Sequence, residues 1–211
     1  MNQPNDISAY VLPVFLQADA PRSFQGTAFC VNGYLITAGH VLRYPRTYYV
    51  CVGNRYVPLR HDKWIPRQVP SDDQLGYDVA LYPVPELESP LSLSEEDAKS
   101  NDGMEAICWQ MIDGTPTQVR TTCVVRGEDD NEGYFRMSTV DRITHGASGC
   151  PIIKDGKVYG LLAMGRDYFE NRDGFITAAP EHRHLMQRFE ENTCWVFKTS
   201  HIKRFMPEND A

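Results

Sequence analysis

Short apolar or alternating runs, separated by turn residues, constrain the fold of this 211-residue chain more than any other feature. The predicted strands cover residues 9–16, 26–31, 34–37, 47–52, 55–59, 78–84, 104–111, 117–125, 133–138, 150–153, 158–164 and 174–177. Asn32-Gly33 and Asp155-Gly156 lie between neighbouring runs, and such pairs supply the positive φ angles of tight hairpin turns. Short strands at this spacing predict an all-β sandwich or barrel.

The chain divides into two halves at residues 87–103, which are polar and acidic and show no periodicity. We therefore expect an N-terminal barrel over residues 1–90 and a C-terminal barrel over residues 104–192. The second unit should include one helix over residues 180–191, because Pro180 suits a first helical position and apolar residues follow at helical spacing. The sequence assigns no role to residues 193–211.

Charge and hydropathy narrow the classes of partner. The net charge of −7, from 21 basic and 28 acidic residues, disfavours a protein that binds nucleic acid phosphates. No apolar stretch approaches the roughly 20 residues of a membrane helix. The first 21 residues also lack the basic start of a secretory signal. We expect a cytoplasmic protein with neither nucleic acid nor membrane as its partner.

The six cysteines are spread along the chain, with no CxxC pair and no Cys/His cluster at zinc spacing. Most have apolar neighbours, and a free cysteine behaves as a small buried hydrophobe. We therefore expect structural free thiols, and neither a metal nor another cofactor. A metal hydrolase or a cysteine hydrolase is disfavoured on the same grounds.

The segment over residues 144–151, THGASGCP, has the composition of a nucleophile loop. Gly146 lets the backbone turn so that the N–H groups of Gly146 and Ser148 can face one point and hold an oxyanion. Gly149 is expected to leave room for a substrate. Taken alone, the pattern also fits an ordinary glycine-serine loop.

Two further segments supply the partners that a serine nucleophile needs. The apolar strand over residues 34–37 leads through Ala38-Gly39 to His40, and histidine is the side chain whose unperturbed pKa suits a base near neutral pH. Asp78 opens the apolar run over residues 78–81, where a carboxylate is costly unless it is paired, and an imidazolium is a suitable partner. Each residue taken singly also fits a structural role.

In this order the three segments resemble the trypsin-like serine peptidases of the chymotrypsin fold. TAGH at 37–40, DVAL at 78–81 and GASGCP at 146–151 are similar to the family's TA[AG]H, D[IV]AL and GDSGGP motifs. The resemblance is closest in style to leaderless bacterial, high-temperature-requirement and viral members. It implies two six-stranded antiparallel β-barrels with one C-terminal helix, and a triad of His40, Asp78 and Ser148.

The resemblance also implies an activity, namely hydrolysis of protein or peptide substrates by a serine endopeptidase through an acyl-enzyme. The alternative is a catalytically inactive protease fold that serves as a binding or scaffold module. Ala147 replaces the acid that many secreted members pair with a new N-terminus, which implies that no zymogen cleavage is needed. We expect either narrow specificity or control by a regulatory protein partner.

Specificity follows from a position six residues before the serine, which the resemblance assigns to the base of the primary pocket. Here it is Arg142, and His145, Ala163 and Gly165 are further candidates for the pocket wall. An arginine repels a substrate lysine or arginine, so we expect poor cleavage after basic residues. Acidic and apolar residues remain equally open. A shift of one residue would bring Asp141 to this position and reverse the argument.

Overall fold

The computed structural model describes residues 6–42, 44–65, 78–128, 133–165 and 192–207. These residues form two largely antiparallel sheets and one short helix near the C-terminus. The predicted strand at 174–177 and the predicted helix at 180–191 lie outside the described residues. No helix in the described ranges is long and apolar enough to cross a bilayer.

The first sheet is a closed six-stranded barrel. Its strands in chain order are β1 (Val11–Phe15), β2 (Phe24–Val31), β3 (Tyr34–Thr37), β4 (Tyr48–Val52), β5 (Arg55–Leu59) and β6 (Ala80–Pro83), and they pair in the order β5-β4-β1-β2-β3-β6. Ile65, just after β5, exchanges two backbone hydrogen bonds with Leu81 of β6, at 2.8 and 2.7 Å. This bridge connects the two ends of the strand order.

The second sheet has seven strands and curls back on itself. They are β7 (Ser92–Leu93), β8 (Gly103–Ile112), β9 (Thr115–Glu128), β10 (Tyr134–Thr139), β11 (Pro151–Lys154), β12 (Lys157–Gly165) and β13 (Thr193–Lys198). The order is β11-β8-β9-β10-β13-β12-β7, and β11 also pairs with β12. The short helix α1 (Thr199–Ile202) follows β13.

The predicted all-β fold is confirmed, and two elements refine it. Strand β7 lies within residues 87–103, where the sequence predicts the division between the two halves, and it pairs with β12 in parallel. Strand β13 extends the second sheet past the predicted boundary at residue 192. All six residues of β13 are buried because it lies between β10 and β12. Such a strand has no alternation of apolar and polar residues, so its sequence carries little period-two signal.

The hairpin turns follow the sequence. Asn32 and Gly33 join β2 to β3 with φ angles of 48° and 74°, and Asp155 and Gly156 join β11 to β12 with φ angles of 52° and 75°. These turns fix which ends of the strands meet. The motif segments lie at the other ends of the strands. His40 follows β3, Asp78 precedes β6 and Ser148 precedes β11.

Candidate active site

His40 and Asp78 meet at the edge of the first barrel. Strand β3 ends at Thr37, and a 3-10 turn over Gly39–Leu42 carries His40 out of the sheet. Asp78 precedes β6, which is the neighbour of β3. The ring nitrogen Nδ1 of His40 lies 2.9 Å from Oδ2 and 3.1 Å from Oδ1 of Asp78.

The Asp78 carboxylate also orients the histidine backbone, because Oδ1 accepts a hydrogen bond from the His40 amide at 2.9 Å. A carboxylate can only accept, so Nδ1 carries the proton and Nε2 carries the lone pair of the neutral ring. Both side chains are 14% exposed. The ring is thereby held in the tautomer that a general base requires.

The serine loop is folded on itself and bound to the second sheet. The amide of Ala147 donates to the Thr144 carbonyl at 3.3 Å, and the amide of Cys150 donates to the Ala147 carbonyl at 3.0 Å. The amide of Gly149 donates to the carbonyl of Leu162 in β12 at 2.7 Å. Ser148 stays half-buried at the tip of this loop, whereas Ala147 and Cys150 are fully buried.

Gly149 brings the serine loop against the histidine loop. Its φ angle of +86° lies in the left-handed region, and a Cβ atom there would lie 2.5 Å from Thr37 Oγ1 and 2.8 Å from the Ala38 amide nitrogen, and would also collide with the Thr27 carbonyl. The expectation that Gly149 leaves room for a substrate is therefore wrong. The space that it leaves is taken by the first barrel, two residues from His40.

Thr27 of β2 connects the two barrels behind the site, although no sequence motif marks it. Its buried hydroxyl donates to the Gly146 carbonyl at 2.8 Å and accepts from the Trp109 amide at 2.9 Å. Its amide donates to the Ser148 carbonyl at 2.9 Å. Its carbonyl accepts from the Thr37 hydroxyl at 2.7 Å. The sequence signal for this role was a threonine within the apolar run of β2, because a polar group in the core needs hydrogen-bond partners.

The peptide groups before Gly146 and Ser148 have a defined direction. The His145 carbonyl accepts from the Met111 amide at 3.4 Å, and the Ala147 carbonyl accepts from the Cys150 amide at 3.0 Å. In a trans peptide the next N–H points the opposite way from the carbonyl. The Gly146 amide therefore points away from β8, and the Ser148 amide points away from Cys150.

Gln110 supports the start of the loop from β8, and it too was missed. Its buried Oε1 accepts from the Thr144 amide at 3.2 Å and from the Thr144 hydroxyl at 2.6 Å. Its Nε2 donates to Sγ of Cys108 at 3.2 Å. The side-chain amide group of Gln110 thus connects the serine loop to the core of the second sheet.

All six cysteines are free, as the sequence predicts. Five are buried, and Cys51 alone is half-buried. Burial raises the pKa of the Cys150 thiol well above its usual range, so this neighbour of Ser148 stays protonated. A protonated, buried thiol does not compete with the serine as nucleophile. In the described part of the chain, no three His, Cys, Asp or Glu side chains gather as a metal site.

The four residues predicted to form the specificity pocket differ in their exposure and in the element that carries them. Arg142 and His145 are exposed, whereas Ala163 is buried and Gly165 pairs with Cys194 of β13. Residues 166–191 follow β12 and are not described, so the pocket around these four residues stays a prediction.

Asp141, the acid that precedes Arg142, is bound to β9 and not to the predicted pocket. The Asp141 carboxylate accepts from the Thr121 hydroxyl at 2.9 Å, and the Asp141 amide donates to the same hydroxyl at 3.2 Å. Asp141 is therefore bound to β9 at the surface. The geometry gives no support to a shifted register that would make Asp141 the base of a pocket.

Solved structures of proteases resemble the whole chain in fold. A protease of M. tuberculosis in its active form matches with a TM-score of 0.59 at 20% identity, over 94% of this chain and 80% of the other. Mouse neuropsin, a serine protease, gives 0.64 at 14% identity over 95% of both chains. A human pathogenic astrovirus serine protease gives 0.55 at 12% identity, over 96% and 93%. No curated protein matches the chain.

The sequence itself matches a family model described as the trypsin-like peptidase domain over residues 26–161, which is more than half of the chain. The matched range begins in β2, ends in β12, and includes His40, Asp78 and Ser148. The chain belongs to the trypsin-like peptidase family.

Proposed function

We propose that this peptidase-family chain is a catalytically active serine endopeptidase with His40, Asp78 and Ser148 as its triad. The observation that carries the proposal is the two-point contact of Asp78 with the His40 ring and backbone, next to a serine loop that Gly149 seats against Ala38. A fold that served only for binding would have no physical need for a fixed tautomer beside a half-buried serine.

The proposed reaction uses these groups in sequence. The Ser148 hydroxyl attacks the scissile carbonyl while His40 Nε2 takes its proton, and Asp78 stays ionised and stabilises the imidazolium. The amides of Gly146 and Ser148 donate to the oxyanion that forms. His40 then returns the proton to the leaving amine, the C–N bond breaks, and water hydrolyses the acyl-serine by the same proton route.

The proposed substrates are proteins or peptides, and the proposed specificity excludes basic residues before the scissile bond. The buried Ala163 is small and uncharged, and Asp141, which precedes the predicted pocket base in sequence, is bound to Thr121. The exposure of Arg142 favours an apolar residue over an acidic one, because an ion pair at an exposed site contributes little.

Proteolysis of an unfolded protein tests this proposal. We expect the purified chain to cut a reduced, alkylated protein substrate, with product masses that place few cuts after lysine or arginine. Ser148→Ala should abolish the cuts, and Ser92→Ala, at an exposed serine of β7, should not. A folded chain that binds the substrate without cutting it would favour the binding-module alternative.

A further inference from the structure

A cavity of about 530 Å³ lies between the first barrel and the β8–β9 hairpin, and none of its lining residues belongs to the predicted specificity pocket. Its walls come from β1, the β4–β5 hairpin, the β8–β9 hairpin and the 3-10 turn Ile7–Tyr10. The side chains that line it are mainly apolar, and they include Leu12, Phe15, Tyr56, Trp109 and Pro116. A concave apolar site with a few polar groups is the ordinary form of a side-chain pocket.

Packed aromatic rings connect the wall of the cavity to the oxyanion loop. Gly146 packs against the Phe24 ring, and a Cβ atom there would lie 3.2 Å from the Trp109 carbonyl. The Phe24 and Phe15 ring centroids are 5.8 Å apart, and those of Phe15 and Tyr56 are 5.5 Å apart. The 5.8 Å step from Phe24 to Phe15 at the cavity wall corresponds to roughly two residues of an extended chain, at about 3.3 Å per residue.

The strand of the predicted specificity pocket and the ring that leads to the cavity contact different residues of the serine loop. Gly149 is bound to Leu162 of β12, so the candidate wall residue Ala163 lies on the β12 side. Phe24 of β2 packs against Gly146 and leads to the cavity through Phe15 of β1. A substrate that crosses the oxyanion amides in extended form has its acyl segment on one side and its leaving segment on the other.

Hydrogen bonds within the chain hold the cavity walls together. The indole Nε1 of Trp109 donates to the Val11 carbonyl at 2.9 Å. The side-chain Nε2 of Gln118 donates to the Val11 carbonyl at 3.1 Å and to the Ser8 carbonyl at 2.9 Å. These bonds hold the β8–β9 hairpin against the first barrel. A preformed pocket loses little entropy on binding, so its occupancy contributes to selectivity.

We propose that this cavity binds an apolar side chain within the first three residues of the leaving segment of a peptide substrate. The proposal rests on the proposed endopeptidase function and adds a second determinant of specificity. The enzyme thus selects its cleavage sites by the residues after the scissile bond as well as by the residue before it.

A peptide series tests the proposal on the wild-type chain. Peptides share one acyl segment, and leucine occupies each of the first four leaving positions in turn in a glycine-serine background. We expect kcat/KM to rise roughly tenfold or more for leucine at one of the first three positions. Values within twofold of one another at all four positions would overturn the inference.

A chromogenic substrate with the same acyl segment and no residues after the scissile bond separates the two proposals. If the chain hydrolyses neither this substrate nor any peptide, the proposed function fails. If it hydrolyses both substrate types but ignores leucine in the leaving segment, only the pocket inference fails.

Filling the cavity gives a second test with a matched control. Thr115 is exposed and lines the cavity at the start of β9, whereas Thr122 is exposed on the same strand and does not line it. Thr115→Trp should reduce the leucine-to-glycine ratio of kcat/KM towards one, and Thr122→Trp should preserve it. Equal ratios in the two variants would contradict the pocket.

Alkylation of Cys51 offers a third test. It lines the cavity and is the one cysteine of the six that is not buried. Burial and the nearby Asp19 carboxylate raise the pKa of the Cys51 thiol, so N-ethylmaleimide is applied at mildly alkaline pH. Alkylation should remove the leucine preference in the wild type and leave it unchanged in Cys51→Ser. A preference that survives full alkylation would contradict the inference.

Discussion

The serine loop and the turn before it lie only a few residues apart, yet they are held in different ways. Within residues 146–150, Gly146, Ala147, Gly149 and Cys150 are buried, and only Ser148 reaches the surface. In the turn before them Val140 is 71% exposed, and Asp141 and Arg142 are exposed as well. The first region fixes the position of a reactive group through packing. The second leaves charged groups at the surface, where substitution costs little stability.

This comparison predicts the largest effects at the triad. Ser148→Ala and His40→Ala should lower kcat by about four orders of magnitude or more, with the far-UV circular dichroism spectrum and Tm unchanged. Asp78→Asn should lower kcat by a similar factor, because an asparagine can hold the wrong tautomer of His40. Steady-state kinetics on a single peptide substrate measures all three.

A matched control for the aspartate is Asp62→Asn, since Asp62 forms an exposed ion pair with Arg60. It should leave kcat within a factor of two, because exposed pairs contribute about 0–1 kcal/mol to stability. Near-full activity in Asp78→Asn would show that another acid orients His40.

Glycine substitution tests whether packing fixes the serine loop. Gly149→Ala adds a methyl group at a φ angle of +86° and against backbone atoms of the first barrel. Gly114→Ala adds one at +78° with no atom within 4 Å. The left-handed backbone alone costs about 1–2 kcal/mol, so Gly114→Ala should lose only stability. Gly149→Ala should lose more stability and also more than about 100-fold in kcat/KM. Equal behaviour of the two variants in urea unfolding and kinetics would contradict this account.

Thr27 tests how the two barrels are connected. Thr27→Val keeps the shape but removes the hydroxyl, so the Gly146 carbonyl and the Trp109 amide lose a buried partner. We expect the free energy of unfolding to fall by about 2–4 kcal/mol. We also expect kcat to fall more than KM rises, because the oxyanion loop loses its support. Thr27→Ser should restore kcat to near wild type, and failure of this rescue would assign Thr27 a packing role only.

Arg142 lies in the exposed turn before the serine loop, and its substitution is predicted to have the smallest effect on activity. Because Arg142 is an exposed residue, Arg142→Ala should change the ratio of kcat/KM for leucine and glutamate before the scissile bond by less than about fivefold. A peptide library with all residues at this position measures the ratio. A preference for glutamate or aspartate that disappears in Arg142→Ala would establish the acidic specificity instead.

The sequence was most informative where a few adjacent residues determine the local structure. The hairpins at Asn32-Gly33 and Asp155-Gly156 and the approach of His40 at the end of β3 follow from local chemistry. The contact of Asp78 with His40 required the resemblance to a family, because the two residues are distant in sequence.

The remaining features depend on long-range packing. Strand β13 is recognisable only once β10 and β12 surround it. The roles of Thr27 and Gln110 arise from hydrogen bonds to residues far along the chain, and Gly149 faces a barrel rather than a substrate. Residue type alone does not encode these partners.

Covalent labelling with a fluorophosphonate tests the central claim most directly, because it requires a nucleophilic serine, its base and an oxyanion site together. The folded wild-type chain should gain one adduct, which peptide mass mapping assigns to Ser148. His40→Ala and urea-unfolded wild type should gain none within the same time. A folded wild-type chain that stays unlabelled, or an adduct on a serine other than Ser148, would contradict the proposed triad.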